Sequence, residues 1–372
     1  MQQDSMMDLA RCLAERGRYS VAPNPLVGAV VARDGSVLSE GWHSRAGEDH
    51  AEIVALNGAG GTARGHTLYV TLEPCNHYGR TPPCVEAILR SGISRVVVGH
   101  LDPNPKMRGR SVGILRDAGV EVEVAADPVF EWQNEQYFHH MRTGKPFVHI
   151  KLAATLDGRI AAAGGDSKWV TGEAARRRAH ELRAEAGAVL VGANTVRTDD
   201  PMLTARGLPV PSPLITRVVL DPHLTISPES ELARSAGEAS VLVFASQAAL
   251  DGRETKLERV GVEVAAAPPS EEGLDLLHVL GELGERGIKG LLVEGGGETA
   301  TRFVRRGLAD KLTLFYAPKL LGSEGVPMIG ALRATKVAES LRFSVSEVEK
   351  VGDDIAVTLY PVGEEERVHR AC

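Results

Sequence analysis

The apolar positions of this chain fall into two rhythms. Residues 4–17 carry Met7, Leu9, Ala10, Leu13 and Ala14 at helical spacing and stop at Gly17, which predicts a helix. "LVGAVVARDG" and "SVLSEGWH" alternate as strands around an Asp34-Gly35 turn, a hairpin. A helix is expected from about His50. "TLYVTLE" reads as a buried strand, "PPCVEAILRSG" as a helix that opens on proline and closes on Gly92, and "SRVVVGHLD" as a strand. "GRSVGILRDAG" and "VEVEVAA" add a helix and a strand. Strands separated by helices predict a parallel or mixed sheet covered on both faces.

Over residues 127–147 the rhythm breaks, and a domain boundary is expected near residue 146. A second α/β series follows, from "FVHIKLAATLDGRIA" through "AVLVGANTV", "TRVVLDPHL", "ASVLVFAS" and "IKGLLVEGGGETATRFVRRG" to "DIAVTLYPV". "AAAPPSEEG" (265–273) reads as a surface loop. The expected organisation is one α/β domain over 1–146, a second over 147–364, and a frayed tail at 365–372.

Composition narrows the function classes. With 372 residues, 43% hydrophobic and 24% charged, two ordinary cores can form. No apolar run is long enough to span a bilayer, and the N-terminal stretch lacks the apolar segment of a signal peptide. A cytoplasmic protein is expected. The net charge of −7 lacks the basic excess of a nucleic-acid binder. "RRRAHELR" (176–183) reads as a solvated helix face. Of the four cysteines, Cys12 reads as a small, at least half-buried side chain and Cys372 as part of the exposed tail. Cys75 and Cys84 stand in a more telling context.

"HAE" (50–52), Pro74-Cys75 and Cys84 together offer three soft ligands and one acid. Thiolates and imidazole are the preferred ligands of zinc, and three protein ligands leave a fourth position for water. The two cysteines fall at strand-to-helix turns on one edge of the predicted sheet, where open α/β sheets place their sites. Glu52 is then free to carry protons as general base and acid. A closed structural site, with His77 as fourth ligand, is the competing arrangement. The pattern matches the zinc deaminase signature, except that eight residues separate the cysteines.

With that insertion, "PNPLVGAVV", "GWHSRAGEDHAE", "VTLEPCNHYGRTPPC" and "DPNPKMRGRSVGILRDAGVEV" resemble the deaminase half of the bifunctional riboflavin-biosynthesis deaminase/reductases. The resemblance implies a cytidine-deaminase-like three-layer α/β/α fold and zinc-dependent deamination of a small phosphorylated pyrimidine. It puts Asn24 and His43 on the base and His77 and Arg80 near the ribose phosphate. Where many relatives carry histidine before Pro-Asn-Pro, this chain has Ala22.

"KLAATLDGRIA", "GDSKWVTG", "VGANTVRTDDPMLTAR", "VEGGGET" and "FYAPKLLG" resemble, in order, the reductase half of the same family. Alone, the Gly295–Gly297 string is a weak dinucleotide signal, because it comes late in its domain. The resemblance implies a dihydrofolate-reductase-like α/β domain that uses NADPH to reduce a ribosyl to a ribityl group. It places Ala154, Trp169, Thr195, Asp199, Gly295, Gly296, Gly297, Glu298 and Thr299 on the cofactor. Ser167, Arg183, Leu203, Arg206 and Glu294 fall on the substrate. Lys151 is the candidate proton donor to the ribose oxygen, and Arg183 and Arg206 are candidate phosphate clamps. Pro222 stands where relatives often carry a small hydroxyl residue. Pairing of copies through the reductase half is a further expectation. Two other functions compete: a tRNA or nucleoside deaminase with an unrelated nucleotide-binding domain, and a non-catalytic metal-stabilised scaffold. The acidic charge opposes the first and the intact Glu52 the second.

Overall fold

In this computed structural model, residues 2–78, 82–208 and 215–362 are described. Arg80 and the tail at 365–372, with Cys372, lie outside them. The chain divides into two units between Gly144 and Lys145.

The first unit holds α1 (Gln2–Ala14), β1 (Gly28–Arg33), β2 (Ser36–Trp42), α2 (Ala51–Gly58), β3 (Thr67–Leu72), α3 (Cys84–Ser91), β4 (Arg95–His100), α4 (Arg110–Asp117), β5 (Glu121–Val124), α5 (Pro128–Gln133) and α6 (Glu135–Thr143). Its sheet runs β2-β1-β3-β4-β5. β1 is antiparallel to β2 and β3, whereas β3, β4 and β5 are parallel. Period-two alternation makes two cores. Ala29, Val31, Leu68, Val70, Val96 and Val98 pack toward α2, α3 and α4. Val30, Ala32, Tyr69 and Val97 pack against α1 and Phe130 of α5. The aromatic stretch that interrupts the sequence pattern is thus α5 and α6, whose buried Phe130, Tyr137 and Phe138 complete this unit.

The second unit holds β6 (Phe147–Thr155), β7 (Arg159–Ala161), α7 (Glu173–Ala186), β8 (Ala188–Gly192), α8 (Ala193–Asp199), β9 (Thr216–Leu220), α9 (Glu231–Arg234), β10 (Val241–Ala245), α10 (Glu254–Glu258) and β11 (Glu263–Ala266). It continues with β12 (Pro269–Ser270), β13 (Gly273–Leu274), α11 (Leu276–Glu285), β14 (Gly290–Val293), α12 (Gly297–Arg305), β15 (Lys311–Ala317), β16 (Val326–Pro327), β17 (Phe343–Val351) and β18 (Asp354–Pro361). The main sheet runs β11-β10-β9-β8-β14-β6-β15-β18-β17. It is parallel from β11 to β15 and antiparallel through β18 and β17.

Three sequence expectations change. Cys12 is exposed, because it stands on the solvent side of α1. Residues 265–273 are not a plain surface loop: Ala267 is 1% exposed and joins the core. The basic run 176–183 is not one solvated face, since Arg176 stacks on Trp169 and Arg183 turns inward to Glu294.

Candidate functional site

In the first unit, three chain segments converge at the carboxyl end of β3. His50 is the N-cap residue of α2, Cys75 follows β3, and Cys84 opens α3 after Pro83. Gly41 lets α2 sit close to β2. A Cβ there would stand 2.3 Å from the Ala51 carbonyl oxygen and 2.6 Å from the Ala55 nitrogen. His50 Nδ1 lies 3.5 Å from Cys75 Sγ and 3.3 Å from Cys84 Sγ. The Cys84 backbone N–H donates to Cys75 Sγ over 3.3 Å. All three ligand atoms lie within 4.8 Å of one another. Tetrahedral zinc, with Zn–S near 2.3 Å and Zn–N near 2.0 Å, sets nitrogen–sulfur separations of about 3.5 Å, so the cluster fits that ion.

Glu52 sits beside this cluster and is 3% exposed. Burial, reinforced by the Cys75 charge, pushes its carboxyl up to about 7, against the opposing pull of His50. A group poised near neutrality can both accept and return a proton. His43, 3% exposed, places its ring in an edge contact with His50, with centroids 5.3 Å apart. Its Nδ1 lies 3.0 Å from the Asp49 carbonyl oxygen and its Nε2 lies 3.0 Å from Asn24 Nδ2. A carbonyl accepts and an amide nitrogen donates, so His43 is the neutral Nδ1–H tautomer. Burial, which lowers its pKa, favours the same form. Asn24 and His43 are therefore joined at this site. His77 is exposed, with Nδ1 3.2 Å from Met107 Sδ.

Sequence reasoning missed Glu73. It is 4% exposed and accepts from the backbone N–H groups of Asp102 at 3.2 Å, Gly109 at 2.8 Å and Ser111 at 3.0 Å. It ties the strand end that carries Cys75 to the loop that carries Met107. Glu73→Ala leaves three donors without this acceptor. It is expected to destabilise the first unit by about 2–4 kcal/mol, read as a lower denaturation midpoint of the zinc-loaded protein. A change below about 1 kcal/mol contradicts the anchoring role.

In the second unit, Lys151 stands on the central strand β6 and Glu294 directly follows its neighbour β14. Arg183 of α7 grips Glu294 through two parallel bonds, Nε to Oε1 at 2.6 Å and Nη2 to Oε2 at 2.9 Å. Its Nη1 donates to the Thr204 carbonyl at 3.0 Å. Burial alone would raise the Glu294 pKa, but the Arg183 charge and hydrogen bonds hold it below the ordinary value. Burial lowers Lys151, with Glu294 opposing and Arg183 assisting. Leu203 is buried with φ 53°, and Arg206 is exposed on the same segment. Ser167 is half-buried. Trp169 is exposed beneath the Arg176 guanidinium, 4.5 Å from its ring centroid, and Lys319 Nζ holds the Trp169 and Val170 carbonyls at 2.8 and 2.9 Å.

A cavity of about 730 Å³ opens over the ends of β8 and β9 and the N-terminal turns of α12. Of the residues expected at the cofactor, Gly297, Glu298 and Thr299 line it. Thr195 supports the glycine loop, its Oγ1 accepting from the Gly296 N–H at 3.3 Å. Gly295 has φ 109°, and a Cβ there would stand 2.7 Å from Thr195 Oγ1; one at Gly297 would stand 2.5 Å from the Pro327 carbonyl oxygen. The loop thus closes on the α12 N-terminus without side chains, as phosphate cradles do. The cavity's size suits a nucleotide-sized ligand. Ala154 is buried on β6, and Asp199 is half-buried at the end of α8; neither lines the cavity. Asn194, Arg197, Asp221, His223, Thr225 and Glu272 line it and were not foreseen.

Comparison with known proteins agrees with both halves. The model described as "Cytidine and deoxycytidylate deaminase zinc-binding region" matches residues 1–100, and that described as "RibD C-terminal domain" matches residues 146–357. The riboflavin biosynthesis protein RibD of Aquifex aeolicus (strain VF5) is 44% identical over 352 residues, 94% of this chain and 96% of that protein. Acinetobacter baumannii RibD, form 1, superimposes with a TM-score of 0.88 at 37% identity, covering 97% of this chain and 99% of that one. A Thermotoga maritima diaminohydroxyphosphoribosylaminopyrimidine deaminase/5-amino-6-(5-phosphoribosylamino)uracil reductase does so with 0.83 at 36% identity, again over 97% and 99%.

Proposed function

This chain belongs to the family of the riboflavin biosynthesis protein RibD, a deaminase and reductase using zinc and NADPH, and from that premise we propose its substrates and the roles of its residues. The first unit deaminates the diaminohydroxyphosphoribosylaminopyrimidine, and the second reduces 5-amino-6-(5-phosphoribosylamino)uracil. A tRNA or nucleoside deaminase joined to an unrelated domain is not favoured, because the relatives match nearly the full length.

The observation that carries the deaminase reading is the His50–Cys75–Cys84 cluster with buried Glu52 beside it. Zinc held by those three residues supplies a Lewis acid that lowers the pKa of water to about 7. Glu52 takes the proton of the attacking water and returns it to the leaving amine. A C–O bond forms at the ring carbon, the C–N bond breaks, and ammonia departs. Asn24 and His43 fix the base in register, and His77 and Arg80 serve the ribose phosphate.

In the second unit, Gly297, Glu298 and Thr299, on a glycine loop supported by Thr195, would hold NADPH, which would supply hydride. As the C1–H bond forms, the ribose C1–O bond breaks and Lys151 gives its proton to that oxygen. Glu294, oriented by Arg183, accepts the pyrimidine N–H groups. Arg206, exposed on the Leu203 segment, meets the phosphate with Ser167 nearby, and Arg183 contributes charge from behind Glu294.

Given the diamino substrate and no reductant, the zinc-loaded protein is expected to release ammonia and stop. Added NADPH then yields the ribityl product, each stage read by mass spectrometry. NADPH oxidation that precedes ammonia release contradicts this order.

The substrate is a small molecule, and among the described residues no helix is long and apolar enough to cross a membrane. A net charge of −7 does not favour nucleic acid as a partner. We place the protein in the cytoplasm, where the ligands Cys75 and Cys84 stay reduced. Self-association is placed on β17, the edge strand of the second sheet, where Val345 and Val348 are each 62% exposed. Val348→Asp is expected to shift the protein from dimer or larger to monomer in sedimentation. A wild-type protein already monomeric at micromolar concentration contradicts this surface.

A further inference from the structure

Strand order gives the cofactor cavity a direction. Hydride must arrive beside Lys151 and Glu294, on β6 and at the end of β14. Moving outward, the sheet runs β6, β14, β8, β9. The end of β9 is therefore three strand spacings from β6, about 14 Å. Between them stands the glycine loop at the α12 N-terminus, where the pyrophosphate belongs. An extended dinucleotide with its nicotinamide at β6 puts its adenosine at β9, against Asp221, His223 and Thr225.

The two walls at that end differ in charge. One carries Glu271 and Glu272 with Arg302 and Arg305. Its cations are engaged: Arg305 pairs with Glu272, and Arg302, half-buried and attracted by Glu298 and Glu272, donates Nη2 to the Leu274 carbonyl at 2.9 Å. Its two carboxylates oppose an added dianion. On the other wall, Arg197 Nη1 donates to Thr225 Oγ1 at 2.8 Å and its Nη2 to Asn194 Oδ1 at 3.2 Å. Both are neutral oxygens, which a phosphate oxygen replaces with gain, because charge-assisted bonds are stronger. Asp221, the acid of this wall, is 1% exposed. Its carboxylate accepts from the backbone N–H groups of Thr225 at 2.5 Å and Ile226 at 2.8 Å and from the Thr225 hydroxyl at 3.1 Å. Its charge is turned into the loop rather than the cavity.

We propose that Arg197, with His223, binds the 2′-phosphate of the adenosine and sets the preference for NADPH over NADH. The proposal rests on the reading of this cavity as the cofactor site. It makes Arg197 a specificity-determining residue outside the reacting centre.

Two probes test it without turnover: 2′,5′-ADP, which carries the 2′-phosphate, and 5′-AMP, which lacks it. Arg197→Gln in the zinc-loaded full chain is expected to weaken 2′,5′-ADP about ten- to hundredfold, the loss of one charge-assisted contact. The 5′-AMP affinity is expected to stay within about twofold of wild type. The kcat/KM ratio of NADPH to NADH is expected to fall by a similar factor, through KM for NADPH. Arg197→Lys, which keeps the charge but not the fork, is expected to fall between the two. Undiminished 2′,5′-ADP binding by R197Q overturns the proposal. So does equal weakening of both probes, which marks a structural role. A wild-type protein that binds the two probes equally overturns it as well, whereas one that binds neither defeats the cofactor reading itself.

Discussion

Glu52→Gln is expected to cut ammonia release by about 10²–10⁴ while zinc stays bound at the wild-type level. Glutamine keeps the shape and one acceptor of the side chain but cannot shuttle a proton. The ligands His50, Cys75 and Cys84 are complete without it, lying within 4.8 Å of one another. Reduction is expected to survive, because Lys151 and Glu294 belong to the second unit. Supplying the deaminated intermediate therefore restores NADPH oxidation by E52Q. Loss of zinc from this variant makes Glu52 a ligand and refutes its role as proton carrier.

Lys151→Ala is the mirror experiment. NADPH oxidation is expected to fall by about 10²–10⁴, with ammonia release unaffected. Its pH dependence follows from burial. The protonated amine is the donor, and burial lowers its pKa from the ordinary 10.5. Reductase kcat is thus expected to fall as pH rises through that lowered value, so the alkaline limb lies below pH 10.5. The limb is expected to vanish in K151A. A limb that persists there belongs to another group and removes Lys151 from the proton-donor role.

The two halves differ in how far the sequence reveals them. His50, Cys75 and Cys84 each stand at an element end marked by local signals: an N-cap position, the residue after a buried strand, and the head of a proline-led helix. Local pattern therefore places the metal centre. Glu73 carries no such signal, because its three donors come from Asp102, Gly109 and Ser111, distant in sequence. The cofactor cavity is harder still, being assembled from the ends of β8 and β9, α12 and the 271–273 turn. Arg183 illustrates the limit. By pattern alone it is one more base in a polar helix, and the resemblance makes it a phosphate clamp; in the fold it is the inward partner of Glu294. Likewise α5 and α6 hide in an aromatic-rich stretch whose short helices leave too few turns for a clear period.

The central claim is an open zinc site of three protein ligands with Glu52 held apart from the metal. Zinc-edge X-ray absorption on the wild type and E52Q tests it most directly. The account predicts one zinc with two sulfur ligands near 2.3 Å and two lighter ligands near 2.0 Å, and the same spectrum in E52Q despite its lost ammonia release. A lighter ligand missing from E52Q, or a third sulfur in either protein, contradicts it.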